Sequence, residues 1–340
     1  MKHRCTHISA VANPQSRLTR NPLLSRRSVL TLLGASSVAA IASLAACSPH
    51  DSAASADAAQ NQNSSAPLVL TTFTVIQDMA SRVAGEFCQI ESITKAGAEI
   101  HDYEPTPDDL KRAQKAQLIL NNGLGLERWF ERFVDDSPAQ RADLSEGITA
   151  IPIAEGDYQG QANPHAWMSP ANGKIYVENI VRALSNLVPD HAKDFEANGE
   201  AYKKELDNIS SHLIEELSAL PESQRTLVTC EGAFSYLCRD TNMKELYLWA
   251  VNAADEGTPQ QIAKVVETVK AQQIPAVFCE STVSPKAMQQ VADETGAVLR
   301  TDEKNILYVD SLSEADGPVP TYLDLLQHDA DAIVSGLMGR

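Results

Sequence analysis

Two histidines of this sequence, His101 and His165, lie in proline-containing turns rather than on the periodic face of a helix or strand. A neutral imidazole in a turn presents a directed lone pair, which is the side-chain group most often used to bind a transition metal. A single loop histidine is more often a solvated or capping residue. Two such turns followed by well-placed carboxylates, however, predict a metal site.

Two carboxylates complete this candidate site. Glu231 and Asp310 each directly follow a predicted strand in the second half of the chain, whereas His101 and His165 follow predicted strands in the first half. Ligands of doubly wound sheets bind beyond the carboxyl ends of the strands, in the crevice between lobes. We therefore predict that His101, His165, Glu231 and Asp310 close around one divalent cation.

Other residues compete for these roles. Either carboxylate could instead cap a helix, since acidic residues favour helix N-termini. Glu280 also follows a predicted strand and is the main rival ligand, although we expect it to support or cap rather than to bind metal. His191, His212 and His328 lie in helical stretches and are expected at the surface, while Trp167 is expected to anchor the His165 turn by packing.

Strand and helix patterns alternate along the chain, which predicts an α/β fold with right-handed crossovers. We expect two lobes, each a mostly parallel four-stranded sheet flanked by helices, over residues 67–189 and 221–340. Apolar residues three or four apart predict one long, stiff linking helix over residues 190–220, about 45 Å in length. The predicted strands are residues 68–72, 88–93, 117–121 and 148–153 in the first lobe, and 226–230, 245–249, 276–280 and 306–309 in the second.

The first 47 residues read as an export signal. Residues 1–46 carry six Lys or Arg and no acidic residue, and they end in an alanine-rich apolar run. Arg26 and Arg27 precede this run in a pattern similar to a twin-arginine signal, with the Sec route left open. The run closes with LAAC, which resembles a bacterial lipobox and predicts lipidation of Cys47. Residues 48–66 contain no large apolar side chain and predict a flexible tether.

Charge and cysteine content narrow the class of protein. Without the basic residues of the signal, 22 Lys and Arg face 45 Asp and Glu, so the formal charge falls from −17 to −23. Such an acidic domain repels polyanions, which argues against nucleic acid as a partner. No cysteine pair has metal-site spacing, and Cys88, Cys230, Cys238 and Cys279 are equally compatible with disulfides and with buried thiols.

Long segments of the chain resemble the solute-binding lipoproteins of manganese, iron and zinc ABC importers, the cluster A-I receptors, and are most similar to the manganese and iron branch. The segments are TTFTVIQDMA, GAEIHDYEPTPDDLKRAQKAQLILNNGLGLERW, NPHAWMSP, TCEGAFSYL, MKELYLW, GTPQQI, PAVFCESTVS and LYVDSLSEADGPVPTYLDLL. The resemblance implies a two-lobed receptor with a rigid linking helix. It also implies a buried metal bound by two His, one Glu and one Asp, which are His101, His165, Glu231 and Asp310 here.

Ligand chemistry favours Mn²⁺ or Fe²⁺ as cargo, because two carboxylates and two imidazoles are harder donors than a zinc site requires. Zinc receptors of this superfamily usually present a third histidine where Glu231 stands, together with a His-rich loop. A zinc receptor remains the alternative. A second alternative is a metal-dependent hydrolase in which Glu231 or Glu280 acts as the general base. The sequence contains neither an HExxH motif nor a nucleophile elbow, which argues against a hydrolase.

The resemblance implies specific partners and a location for the chain. We expect a monomer that is exported and anchored by a lipid on Cys47 at the outer face of the cytoplasmic membrane. Its expected partners are an ABC permease and the ATPase of that permease. No phosphate-binding GxxxxGK[ST] motif occurs in the sequence, so we do not expect the chain to hydrolyse ATP. We expect a receptor without a catalytic cofactor and not an enzyme, and nothing in the sequence argues for a surface adhesin.

Overall fold

The computed structural model describes residues 66–134, 137–156, 158–251 and 257–339. The predicted signal, the lipobox with Cys47 and all but the last residue of the predicted tether therefore lie outside the described residues. The remaining chain forms two lobes, which we define as the described residues before and after the long helix α5. Strands are parallel in both lobes, and helices flank them.

A four-stranded parallel sheet organises the N-terminal lobe. Apolar, almost continuously buried sequences form its two central strands, as is typical of parallel sheets covered on both faces. The spatial order is β2-β1-β3-β4, with Val69 opposite both Ile90 and Leu118. The strands are β1 (Leu68–Thr71), β2 (Gln89–Ser92), β3 (Leu118–Asn121) and β4 (Gln140–Asp143).

The fourth strand of this sheet is not the one that the sequence predicts. Residues 148–153 form no strand, and of these only Pro152 makes a bridge, an isolated antiparallel one to Ala162. Proline lacks the N–H that a central strand needs, so the run packs its isoleucines against the core without joining the sheet. The true edge strand β4 reads QRAD and is mostly exposed, so it carries no apolar pattern to reveal it.

Four helices belong to this lobe, and their local signals are strong. Thr106 and Asp109 form a reciprocal capping box at the start of α2, and Ser169 caps α4 by accepting the N–H of Asn172. The helices are α1 (Thr74–Ala84), α2 (Pro107–Lys115), α3 (Arg128–Val134) and α4 (Pro170–Leu187).

The predicted linking helix is present as α5 (Ala192–Ala219). Its 28 residues span about 42 Å, because each residue of an α-helix adds about 1.5 Å. One stripe is buried, and it includes Phe195, Tyr202 and Leu206. Gly199 lies in this stripe where a Cβ atom would come within 2.5 Å of Val181 on α4, so the glycine permits close packing of the two helices.

The C-terminal lobe contains two parallel strand pairs rather than one hydrogen-bonded sheet of four strands. The predicted strand at residues 306–309 is absent, and Leu307 makes only an isolated parallel bridge to Glu280. The missed strand, β8, is three residues long and partly exposed, which leaves little pattern to read. The pairs are β5 (Thr226–Glu231) with β6 (Lys244–Trp249), and β7 (Ala276–Phe278) with β8 (Val298–Arg300).

Helices pack against these pairs and against α5. Thr258 and Gln261 form a capping box at the start of α7, since the Thr258 hydroxyl accepts the N–H of Gln261 while the Gln261 side chain accepts the N–H of Thr258. None of the helices in the described part of the chain is both long and apolar enough to cross a membrane. The helices are α6 (Ser235–Thr241), α7 (Pro259–Gln272), α8 (Lys286–Thr295) and α9 (Tyr322–Leu337).

Candidate metal centre

His101 follows β2 in a loop whose backbone is fixed on both sides. The Glu99 carboxylate accepts hydrogen bonds from the backbone N–H of His101 at 2.6 Å and of Asp102 at 3.0 Å. The Trp129 indole donates to the carbonyl of the buried Ile100 at 2.8 Å. These contacts hold the His101 backbone, and its imidazole, only 5% exposed, lies at the centre of the site.

His165 lies in the NPH turn that immediately precedes a short 3₁₀ helix (Ala166–Met168). The side-chain oxygen of Asn163 accepts from both the backbone N–H and the ring Nδ1 of His165, at 3.0 and 2.9 Å. Because an amide oxygen only accepts, Nδ1 carries the proton and Nε2 keeps a free lone pair. Asn163 also donates to the carbonyl of Gly232 at 2.7 Å, which links the turn to the other lobe.

Glu231 is the last residue of β5, and its side chain is completely buried. Its backbone N–H donates to Glu280 Oε1 at 3.3 Å. A disulfide joins the preceding residue, Cys230, to Cys279, which precedes Glu280. The disulfide therefore places the ends of β5 and β7 side by side and fixes the two glutamates next to each other.

Asp310 directly follows residues 306–309, which do not form a strand. The Trp167 indole donates to the carbonyl of Val309 at 3.0 Å, so the predicted packing anchor also crosses between the lobes. The backbone N–H of Tyr308 donates to the buried Asp329 of α9 at 2.9 Å. Contacts to the backbone at Tyr308 and Val309, directly before Asp310, thus take the place of the strand pairing that the sequence predicts there.

Residues after Asp310 contact the N-terminal lobe directly. The backbone N–H of Gly97 donates to the Ser311 hydroxyl at 2.7 Å, and the N–H of Leu312 donates to the Thr74 hydroxyl at 2.9 Å. Thr74 is the first residue of α1. The Asp310 segment is therefore attached to both lobes, and sequence patterns gave no sign of these contacts.

The four predicted ligands converge on one point. His101 Nε2 lies 3.2 Å from His165 Nε2 and 3.2 Å from Glu231 Oε1, and His165 Nε2 lies 3.6 Å from Glu231 Oε1. Asp310 Oδ1 lies 4.0 Å from His101 Nε2 and 3.9 Å from His165 Nε2. Ligands at about 2.1 Å from a tetrahedral ion are roughly 3.4 Å apart, so these spacings suit a single divalent ion.

Burial and mutual charge perturb these groups strongly. Burial lowers the pKa of His101, but the neighbouring Glu231 carboxylate, with Asp310 and Glu99, raises it overall to about 10. Burial lowers the pKa of His165 to about 4, assisted by charge on His101. Burial and the nearby Glu231 raise the pKa of Asp310 to about 8. A dication would satisfy both carboxylates and allow both imidazoles to be neutral.

The rival ligand Glu280 lies beside the four donors but outside their cluster. It is buried, and desolvation followed by the charge of Glu231 raises its pKa well above the usual range for a glutamate. A protonated Glu280 adds no negative charge to the site. Its contact with the Glu231 backbone is the supporting role that the sequence predicts.

The remaining cysteines and histidines lie away from this centre. Cys88 and Cys238 are buried free thiols, whereas Cys230 and Cys279 form a disulfide. The sequence was compatible with disulfides and with buried thiols, and the structure contains both. His191 and His212 are partly exposed, as predicted. His328 is also partly exposed, and its ring donates to the carbonyl of Ile306 at 2.9 Å.

A cleft of about 390 Å³ opens beside His101. Three aromatic side chains line this cleft, those of Tyr103, Trp129 and Tyr158. The Arg128 guanidinium lies 5.8 Å from the centre of the Tyr158 ring. Among the four converging side chains, His101 is the one that borders this cleft.

Comparison with known proteins places this geometry in a family. Residues 69–336 match the family model described as zinc-uptake complex component A, periplasmic. The chain belongs to this family. That match covers both lobes and all four converging side chains, and it confirms the resemblance to metal importers that the sequence segments indicate.

Relatives and solved structures agree with this assignment. The chain is 47% identical over 319 residues to the iron-binding protein YfeA of Yersinia pestis, covering 93% of this chain and 97% of the relative. It is 35% identical to the manganese-binding lipoprotein MntA of Halalkalibacterium halodurans, covering 79% and 88%. A Mn-bound periplasmic metal-binding protein from Candidatus Liberibacter asiaticus superposes with a TM-score of 0.74 at 36% identity, covering 80% of this chain and 99% of that one.

Proposed function

We propose that this protein is an extracytoplasmic receptor that binds one divalent transition metal between its lobes and delivers it to an ABC permease. The convergence of two imidazoles and two carboxylates in a buried cluster is the observation that carries the proposal. The proposed ligands are His101, His165, Glu231 and Asp310. Membership of an importer family supports a permease and its ATPase as partners.

The favoured cargo is Mn²⁺ or Fe²⁺. Two carboxylates are hard oxygen donors, and a set of two imidazoles and two carboxylates suits these ions. The names of the relatives, which include iron-binding and manganese-binding proteins, support the same choice. Zinc is the alternative, because the affinity of almost any such site rises from manganese toward zinc. Cellular supply would then decide which ion is carried.

A receptor fits the enclosure of the site better than an enzyme does. Four protein donors surround the central point, and the side chains of His165, Glu231 and Asp310 are completely buried. A hydrolase needs a metal position open to water and substrate. Glu280, the candidate general base, contacts the Glu231 backbone instead of facing the cleft beside His101.

The proposed location follows from the N-terminal sequence. We propose that residues 1–47 direct export, that Cys47 is lipidated, and that residues 48–66 tether a monomeric receptor near the membrane surface. Names of relatives that include lipoprotein support a lipid anchor. The acidic mature chain argues against nucleic acid as a partner.

Metal analysis of the purified protein tests this function. Cells are grown with equal free concentrations of Mn, Fe and Zn, and the bound metal is measured per chain and then again after competition in vitro. We expect about one ion per chain at this site, with Mn or Fe bound after growth. Substitution His101→Ala should remove that ion. A chain that binds no transition metal would contradict the proposal.

A further inference from the structure

A second group of potential metal ligands lies where α5 packs against α9, away from the four central donors. His212 and Glu216 are four residues apart on α5, and Asp331 belongs to α9. One donor atom from each lies within 4.8 Å of the others, and His212 Nε2 is 3.5 Å from Glu216 Oε1. Residues at i and i+4 share one face of a helix, so α5 presents two donors beside the third.

Charge at this cluster is not balanced by a cationic side chain. Glu216 has an ion-pair contact with His212, and Asp331 accepts a hydrogen bond from Gln327 at 3.0 Å. Within the described part of the chain, neither carboxylate is in an ion pair with lysine or arginine. With a neutral imidazole, the three groups carry a formal charge of −2, which one divalent ion neutralises.

A separate observation concerns one carboxylate oxygen of Glu216. The side chain is 31% exposed overall, but its Oε2 atom is shielded from solvent and has no hydrogen-bond partner among the described residues. A shielded carboxylate oxygen without a partner is costly, because it has lost its hydration without replacement. A cation bound by both oxygens of the Glu216 carboxylate would remove that cost.

We propose that His212, Glu216 and Asp331 form a second, surface site for a divalent transition metal, and that Zn²⁺ or Cu²⁺ is the ion it takes. One imidazole and two carboxylates leave open positions for water, so its affinity is lower than that of a site with four protein ligands. Weak N and O sites prefer Cu²⁺ and Zn²⁺ over Mn²⁺. An ion bound there would connect the linking helix to α9.

This second site is independent of the cargo proposed for the first. Helix α9 also contains Asp329 and His328, which bond to the backbone at Tyr308 and Ile306 ahead of Asp310. Joining α9 to α5 would therefore stabilise an element that supports the central site. The inference itself requires only binding at the surface cluster.

Zinc binding by the full, untagged chain tests the proposal. Equilibrium dialysis against Zn²⁺ is compared for the unsubstituted chain, His212→Gln and Asp331→Asn, with His191→Gln as control. His191 is also partly exposed and paired with an acidic residue, Asp194, but no third donor lies beside it in the described part of the chain. We expect His212→Gln and Asp331→Asn to lower the Zn²⁺ affinity of the weaker site about tenfold or more. At zinc concentrations that fill this site in the unsubstituted chain, each variant should therefore bind one equivalent less. The control should lose none.

A central-site variant separates the two proposals. His101→Ala should remove the tighter equivalent while the weaker one persists, and His212→Gln should remove the weaker one in either background. Circular dichroism verifies that each variant folds. The inference is overturned if His212→Gln and Asp331→Asn bind as much zinc as the control, whatever happens to the tighter equivalent.

Discussion

Asn163 accepts two hydrogen bonds from His165, one from the backbone N–H and one from ring Nδ1. The same amide donates to the carbonyl of Gly232, directly after Glu231, and to the Ser235 hydroxyl at 3.2 Å. One side chain therefore sets the tautomer of a proposed ligand in the N-terminal lobe and bonds to the C-terminal lobe. Second partners of metal-binding histidines commonly orient the ring in this way.

Replacing Asn163 should weaken metal binding without touching a ligand. We expect Asn163→Ala to lower the Mn²⁺ affinity about 10- to 100-fold, because the His165 ring loses its orientation. Asn163→Asp retains the acceptor for His165 but cannot donate to Gly232, so its Mn²⁺ affinity should lie between those of the unsubstituted chain and Asn163→Ala. Isothermal titration calorimetry measures both, with the exposed Asn186→Ala as control. Equal affinity in Asn163→Ala and the control would exclude this role.

Metal should stabilise the protein only when its ligands are intact. A ligand at 1,000 times its Kd stabilises the folded state by about 4 kcal/mol, which appears as a higher Tm. We expect Asp310→Ala to abolish the Mn²⁺-induced rise in Tm. Asp302→Ala is the matched control, because Asp302 is exposed and its carboxylate accepts hydrogen bonds from the neighbouring Lys304 and Asn305. An undiminished rise in Asp310→Ala would remove Asp310 from the ligand set.

Metal binding should release protons at neutral pH. With pKa values of about 10 for His101 and about 8 for Asp310, both groups hold a proton at pH 7 before the ion binds, whereas His165, with a pKa of about 4, does not. Binding requires a neutral imidazole and an ionised carboxylate, so affinity should rise as pH increases from 5 to 8. Calorimetry in buffers of different ionisation enthalpy should detect more than one proton released per ion. A heat that does not depend on the buffer would contradict this.

Removing the disulfide should destabilise the C-terminal lobe. Cys230 and Cys279 are separated by 49 residues, and closing a loop of that length stabilises a fold by about 4 kcal/mol in the chain-entropy description. We expect the double substitution Cys230→Ala and Cys279→Ala to lower the free energy of unfolding by about 2–4 kcal/mol. Urea denaturation measures the change. Dithiothreitol should lower the stability of the parent chain but not of the variant, and equal sensitivity of both would refute the assignment.

Glu231 should set the metal preference. A histidine at this position replaces a hard, charged oxygen donor with an imidazole, which favours zinc over manganese. We expect Glu231→His to bind Mn²⁺ at least about tenfold more weakly while keeping most of its Zn²⁺ affinity. Competition dialysis at equal free metal concentrations measures the ratio. An unchanged ratio would mean that another feature determines selectivity.

The central site was accessible to sequence reasoning because its chemistry is local and its position is topological. Histidines in tight turns, and carboxylates directly after strands, meet wherever the carboxyl ends of parallel strands converge. Glu231 illustrates this, since it is the last residue of a strand whose six residues are all buried. Asp310 reached the same point without a strand, because Trp167 and Asp329 hold the backbone of its segment.

The parts that sequence reasoning missed depend on contacts between distant residues. Strand β4 is polar and exposed, and β8 has only three residues, so pairing with a neighbour defines them rather than periodicity. Asn163 stands two residues before His165, but its bond to Gly232 spans 69 positions in the chain. The disulfide likewise needed the adjacency of β5 and β7 before it could be distinguished from buried thiols.

Anomalous diffraction from crystals grown with Mn²⁺ tests the central claim most directly. Data collected at the manganese edge should show a strong peak enclosed by His101 Nε2, His165 Nε2 and the carboxylates of Glu231 and Asp310, about 2.1–2.2 Å from each donor. Such a peak would establish the ion and its ligands together. A crystal with no manganese peak among these four side chains, or with the ion bound elsewhere, would contradict the account.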